Sequence, residues 1–239
     1  MAQATGQFTH EQEMSIPRLT RHLFGTVRGT KMKIVALGDS LTVGESGFTS
    51  SASDTQVRSY PEHLATFAKE YLRSRRLNVN LEVLNKGLNG DLTSGMLERF
   101  SADVVDERAD YVIILGGTND IGWGVSLRMV SDNLTRMYDS ARKERIGAVA
   151  CSVPSILGCD ELILPRLQLN ATIEAEARKR AMPFLDFFSA TADQATCRLL
   201  EDYSADGLHL NAIGYSRLGG VVFDNWLKAV LDQHQVTVE

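Results

Sequence analysis

From residue 33 onward the chain alternates short apolar runs with stretches whose apolar residues recur at helical spacing. The first run, over 33–37, is Lys33-Ile34-Val35-Ala36-Leu37, and it breaks sharply at Gly38-Asp39-Ser40. After a Gly-, Ser- and Thr-rich stretch over 44–59, a helix is expected over 59–76. Pro61 sits in its first turn, and Leu64, Phe67, Ala68, Tyr71 and Leu72 form one apolar stripe. Residues 79–84 alternate as a strand, ending in a polar break through Asn89-Gly90-Asp91, and a helix is expected over 92–107. The run Tyr111-Val112-Ile113-Ile114-Leu115 is unbroken, as in strands covered on both faces, and it ends at Gly116-Gly117-Thr118-Asn119-Asp120.

Val130, Leu134, Met137, Tyr138 and Ala141 stripe a long helix closing near Arg145. A fourth strand is expected over 148–153 and a fifth over 183–187, with Leu169, Ile173 and Ala177 on the helix between them. Val222, Trp226, Ala229 and Val230 mark a terminal helix. Strands alternating with helices predict a parallel sheet with crossover helices, an α/β architecture of about five strands. At 239 residues, this accounts for one domain over 32–239, preceded by an extension over 1–31.

Charge and composition narrow the function classes. A net charge of −5 and a pI near 5.6 argue against binding to a phosphate backbone, so no nucleic-acid partner is expected. No apolar run approaches bilayer length, so no membrane span is expected. The start of the chain lacks the apolar core of a secretory signal, which makes the cytoplasm the expected location. The three cysteines, Cys151, Cys159 and Cys197, have the spacing of neither a zinc site nor a redox pair. Cys151 lies within a strand-like apolar run and makes a poor nucleophile.

The candidate chemistry lies at the polar breaks. In an open α/β sheet these strand ends meet at one edge, where ligands bind. Ser40 at the first break is either a helix N-cap or a nucleophile, and alone the cap is the simpler reading. Among five histidines, His209 has Asp206 three residues before it in a short glycine-containing loop, a spacing that lets the carboxylate hold one ring nitrogen while the other faces a hydroxyl. Gly90 is either a backbone donor site or a turn glycine. Asn119 offers either a neutral amide donor or an Asx turn.

These residues come in an order that resembles a known family. Gly38-Asp39-Ser40-Leu41, Gly90 in Asn89-Gly90-Asp91, Gly117-Thr118-Asn119-Asp120 and Asp206-Gly207-Leu208-His209 are similar to the four blocks of the SGNH hydrolases, also called GDSL esterases/lipases. The resemblance implies a three-layer α/β/α sandwich. It also implies Ser40 as nucleophile, His209 as base and Asp206 as its partner, with an oxyanion hole from the Ser40 N–H, the Gly90 N–H and the Asn119 side chain. No cofactor or metal is implied, and the partner is a small-molecule ester.

Phe48, Trp123 and Ile156 follow three different strands and are candidates to line the acyl pocket, with simple packing as the other reading. Hydrolysis of short-chain esters is the favoured activity. Acyl transfer and action on carbohydrate or lysophospholipid esters stand as alternatives on the same site. A non-catalytic small-molecule or anion-binding domain is the alternative outside enzymes. The oligomeric state is left open.

Overall fold

The structure, a computed structural model, describes residues 31–44 and 57–235. Residues 1–30 of the expected extension, Phe48 and most of the 44–59 stretch lie outside the described residues, while Lys31, expected in the extension, begins the first strand. Five parallel strands form one sheet in the order β2-β1-β3-β4-β5: β1 (Lys31–Gly38), β2 (Asn80–Gly87), β3 (Tyr111–Leu115), β4 (Gly147–Cys151) and β5 (Phe184–Leu185).

Alternation along β1 divides the core in two, because successive side chains point to opposite faces of a strand. Met32, Ile34 and Ala36 pack on one side with residues of α2 (Tyr60–Arg75), α8 (Ala212–Val222) and α9 (Lys228–Gln235). Val35 and Leu37 pack on the other with residues of α3 (Thr93–Glu98), α5 (Leu127–Lys143) and α6 (Ile163–Lys179). This is the three-layer sandwich expected. All five residues of β3 are buried, which explains its continuous apolar sequence.

Several boundaries differ from the sequence expectation for identifiable reasons. β2 runs on through Asn85-Lys86-Gly87 because all eight of its residues pair with β1, and the Asn85 amide finds an acceptor in the Thr42 carbonyl at 2.7 Å. The helix expected over 92–107 ends at Glu98 and passes into a wider turn over Ser101–Val105. β5 contains only Phe184 and Leu185, because Asp186 caps α7 (Phe187–Thr191) by accepting from the Ser189 N–H. The apolar run over 183–187 therefore crosses an element boundary.

The sheet order matters for chemistry. β2, β1 and β3 are neighbours, so the three breaks that follow them emerge side by side at the carboxyl edge. The Leu88 N–H donates to the Gly38 carbonyl at 3.0 Å, joining two of these loops directly. Arg99 strengthens the junction by donating to the carbonyls of Gly38 and Lys86, each at 2.9 Å, and to the Asp91 carboxylate at 2.8 Å.

Candidate active site

Ser40 is the first residue of a four-residue helix, α1 (Ser40–Val43), that begins directly after β1 and Asp39. Asp39 is the N-cap: its backbone is extended, and its Oδ1 accepts the Leu41 N–H at 3.0 Å. Ser40 thus occupies a cap-adjacent position whose own N–H has no intrahelical acceptor. Ser40 is 6% exposed.

Asp206 and His209 meet Ser40 from the opposite end of the chain. Asp206 Oδ1 accepts the backbone N–H groups of Leu208 at 3.0 Å and His209 at 2.7 Å, winding the segment into a tight loop. Its Oδ2 lies 2.8 Å from His209 Nδ1, and His209 Nε2 lies 3.0 Å from Ser40 Oγ. Gly207 permits this turn because it has φ +94°, and a Cβ there would stand 2.6 Å from the Leu157 carbonyl oxygen. That close approach includes a hydrogen bond from the Leu157 N–H to the Gly207 carbonyl at 2.8 Å, which ties the loop after β4 to the histidine loop.

Electrostatics at the loop favour an ionised Asp206. Burial alone would raise its carboxyl, but the His209 ring and the two backbone N–H groups outweigh it and hold the group below its ordinary range. An ionised Asp206 favours the tautomer that carries its hydrogen on Nδ1, which leaves Nε2 as acceptor toward Ser40.

Gly90 and Asn119 lie on the neighbouring loops. Gly90 has φ +74° and is exposed, and a Cβ built on it meets nothing within 4 Å among the described residues. Conformation is what calls for glycine there, since the described residues do not crowd it. Asn119 lies in the first turn of α4 (Thr118–Gly122), and its Nδ2 donates to the Asp91 carbonyl at 2.9 Å, one residue beyond Gly90.

Asp120 fixes this arrangement from beneath. Its carboxylate accepts the Thr93 hydroxyl at 2.7 Å and the Thr93 N–H at 3.0 Å, and Asn133 on α5 donates to the same hydroxyl at 3.2 Å. All three side chains are buried. Thr93→Val keeps the shape and removes the hydroxyl, so an Asp120 oxygen and the Asn133 amide each lose a partner. The expected cost is about 1–3 kcal/mol, read as a lower urea midpoint with an unchanged slope. An unchanged midpoint would show that the network does not hold the loop.

The three pocket candidates are placed differently. Trp123 is 79% exposed immediately after α4, whereas Ile156 is buried in a small cluster with Ile163, Phe188 and Ala192. Phe48 lies outside the described residues.

Two polar residues near the site escaped the sequence reading of its chemistry. Arg166, on α6, is 1% exposed and donates to the Leu162 carbonyl at 3.1 Å, while its Nε has no partner among the described residues. Its signal was present as an arginine within the stripe Ile163, Arg166, Leu169, Ile173 and Ala177. Asp39 entered the sequence reading only as part of the Gly38-Asp39-Ser40-Leu41 block, yet it has no exposed surface and its Oδ2 lacks a partner among the described residues. The buried Cys151 thiol is pushed up by desolvation, in keeping with a packing role.

Comparison with known proteins bears on this geometry. A 134-residue stretch is 30% identical to the uncharacterized lipoprotein YqeF of Bacillus subtilis (strain 168), covering 52% of this chain and 50% of that protein. The chain therefore spans about half the length of that relative. Among solved structures, the lipase/acylhydrolase from Enterococcus faecalis is similar with a TM-score of 0.63 at 23% identity, over 84% of this chain and 96% of that one. An acetylxylan esterase from Geobacillus stearothermophilus, solved as a mutant, gives 0.66 at 17% identity, over 81% and 93%. At such identities the likeness is one of fold. The sequence itself matches the model of the GDSL-like lipase/acylhydrolase family over residues 36–217, the three polar breaks and the segment Asp206 to His209 all fall inside that span, and the chain belongs to this family.

Proposed function

We propose that the chain is a serine esterase that hydrolyses carboxylic esters with short acyl groups through an acyl-enzyme. The single observation that carries the reading is the continuous relay Asp206–His209–Ser40, with links of 2.8 and 3.0 Å. Ser40 Oγ attacks the ester carbonyl as His209 Nε2 takes its proton, and the imidazolium so formed is stabilised by the Asp206 carboxylate. Collapse of the tetrahedral intermediate expels the alcohol, which receives the proton from Nε2. Water then attacks the acyl-Ser40 ester by the same route, releasing the carboxylic acid.

The developing oxyanion is received by the Ser40 N–H at the start of α1, the Gly90 N–H and the second Asn119 amide hydrogen. The space that the described residues leave beside Gly90 supports that assignment, as does the Asn119 anchor on Asp91. A small acyl group suits a nucleophile so little exposed, and the acetyl ester named for the Geobacillus neighbour is of that size. No step in this route calls on a metal or cofactor.

An organophosphonate probe tests the reading. One label per chain is expected at Ser40 by peptide mass spectrometry, with none in Ser40→Ala. Turnover of p-nitrophenyl esters is expected to decline from acetate to palmitate. Ester turnover that survives Ser40→Ala would overturn the mechanism, and a rising chain-length series would overturn the substrate class.

A further inference from the structure

Asp39 does more than a cap requires. One acceptor atom suffices to cap α1, and Oδ1 supplies it to the Leu41 N–H at 3.0 Å. A neutral Asn or Ser would serve as well, without placing an unpaired carboxylate oxygen in the interior. Oδ2 is buried and has no hydrogen-bond partner among the described residues. Asp39 directly precedes Ser40, whose Oγ meets Nε2 of the His209 ring at 3.0 Å, whereas Asp206 holds Nδ1 at 2.8 Å.

The charged and titratable groups around Asp39 come from several elements. Burial raises its carboxyl to about 7, while the Leu41 N–H and His209 act downward and Asp120 on α4 and Asp91 after β2 act upward. Arg166 on α6, lowered to about 10 by burial, is held up in part by the Asp39 charge. The Tyr60 hydroxyl on α2 is raised by burial and, to a lesser extent, by the same charge. Asp39 therefore changes charge within the range where a histidine base works, and the field of that charge reaches His209.

We propose that Asp39 is a positioning residue of the reaction: a second carboxylate, behind the nucleophile, whose charge acts on the His209 imidazolium formed during acylation and makes activity follow its own ionisation. This rests on the esterase reading above. The step adds no new bond. The Ser40 proton still goes to Nε2 as the Oγ–C bond forms, and Asp39 exchanges only its own proton with solvent.

Asp39→Asn keeps the capping oxygen and reproduces the charge of the protonated acid, so it mimics the low-pH form at every pH. The ratio of wild-type to Asp39→Asn kcat/KM is expected to be near one at pH 5 and to rise to about tenfold by pH 8.5, the scale of one neighbouring charge. A ratio that stays constant from pH 5 to 9 would leave Asp39 as a cap only and overturn the proposal.

A second measurement is independent of turnover. The Asp39 carboxyl carbon, assigned by its absence from the 13C NMR spectrum of Asp39→Asn, is expected to titrate near 7 and to move to higher pH in His209→Gln. An Asp39 titration indifferent to His209 would overturn the coupling even in an active enzyme. If instead Ser40 takes no label and no ester is turned over, the esterase reading fails, while the NMR titration still decides whether the two groups are coupled.

Discussion

Asp206→Asn is expected to lower kcat by about four orders of magnitude while leaving the fold intact. Asp206 uses its two oxygens differently: Oδ1 takes the backbone N–H groups of Leu208 and His209, and Oδ2 takes the ring Nδ1. Asparagine has one acceptor oxygen. If that oxygen keeps the two backbone bonds, its NH2 group turns toward Nδ1, which must then accept. The ring hydrogen moves to Nε2, and a protonated Nε2 cannot take the proton of Ser40 Oγ, 3.0 Å away. The loop survives because the turn bonds survive, so the melting temperature should change little while kcat collapses. Ser40→Ala and His209→Ala should lose more, about 10⁶, and the double variant should lose no more than either alone, since the residues act as a unit. A loss below tenfold in Asp206→Asn would show that the carboxylate does not set the tautomer.

Much of the architecture was legible because the apolar pattern and the layer structure have the same cause. β3 is buried on both faces and is therefore apolar throughout, so its bounds could be read directly. β2 is only partly buried along its length and ends in Asn85-Lys86, which look like a turn until the Thr42 carbonyl and the Glu107 carboxylate are seen to receive them. Asn133 interrupts the apolar stripe of α5 because it faces the Thr93 hydroxyl, a partner forty residues away. The end of β5 was hidden by composition: Phe187 is as apolar as Leu185 but belongs to a helix that Asp186 starts.

The site was legible for a related reason. Its residues occur at strand ends or within a single tight loop, so their order along the chain and the topology together bring them to one edge. Asp39 was the exception. That it caps a helix is a local fact, evident from the residues beside it. That its second oxygen is isolated among the described residues depends on burial by elements distant in sequence, and no spacing rule reports that.

Asn119→Ala should cut kcat by roughly 10²–10³ with little change in KM, provided its amide meets the oxyanion only as charge develops. The structure constrains how that amide points. One Nδ2 hydrogen is used on the Asp91 carbonyl at 2.9 Å, and a carbonyl cannot donate to a carbonyl, so the flipped amide is excluded by its own partner. The second hydrogen of the same group is then fixed in direction before substrate arrives, which removes reorganisation from the transition state. Because Asp91 adjoins Gly90, the same bond also sets the distance between two of the proposed donors. Asn119→Asp gives a sharper comparison. It is nearly isosteric, but it would set a carboxylate against the Asp91 carbonyl and against the oxyanion, so its kcat should fall at least as far as that of the alanine variant. A raised KM with unchanged kcat in Asn119→Ala would assign this residue to ground-state binding and leave the oxyanion to the backbone donors of Ser40 and Gly90.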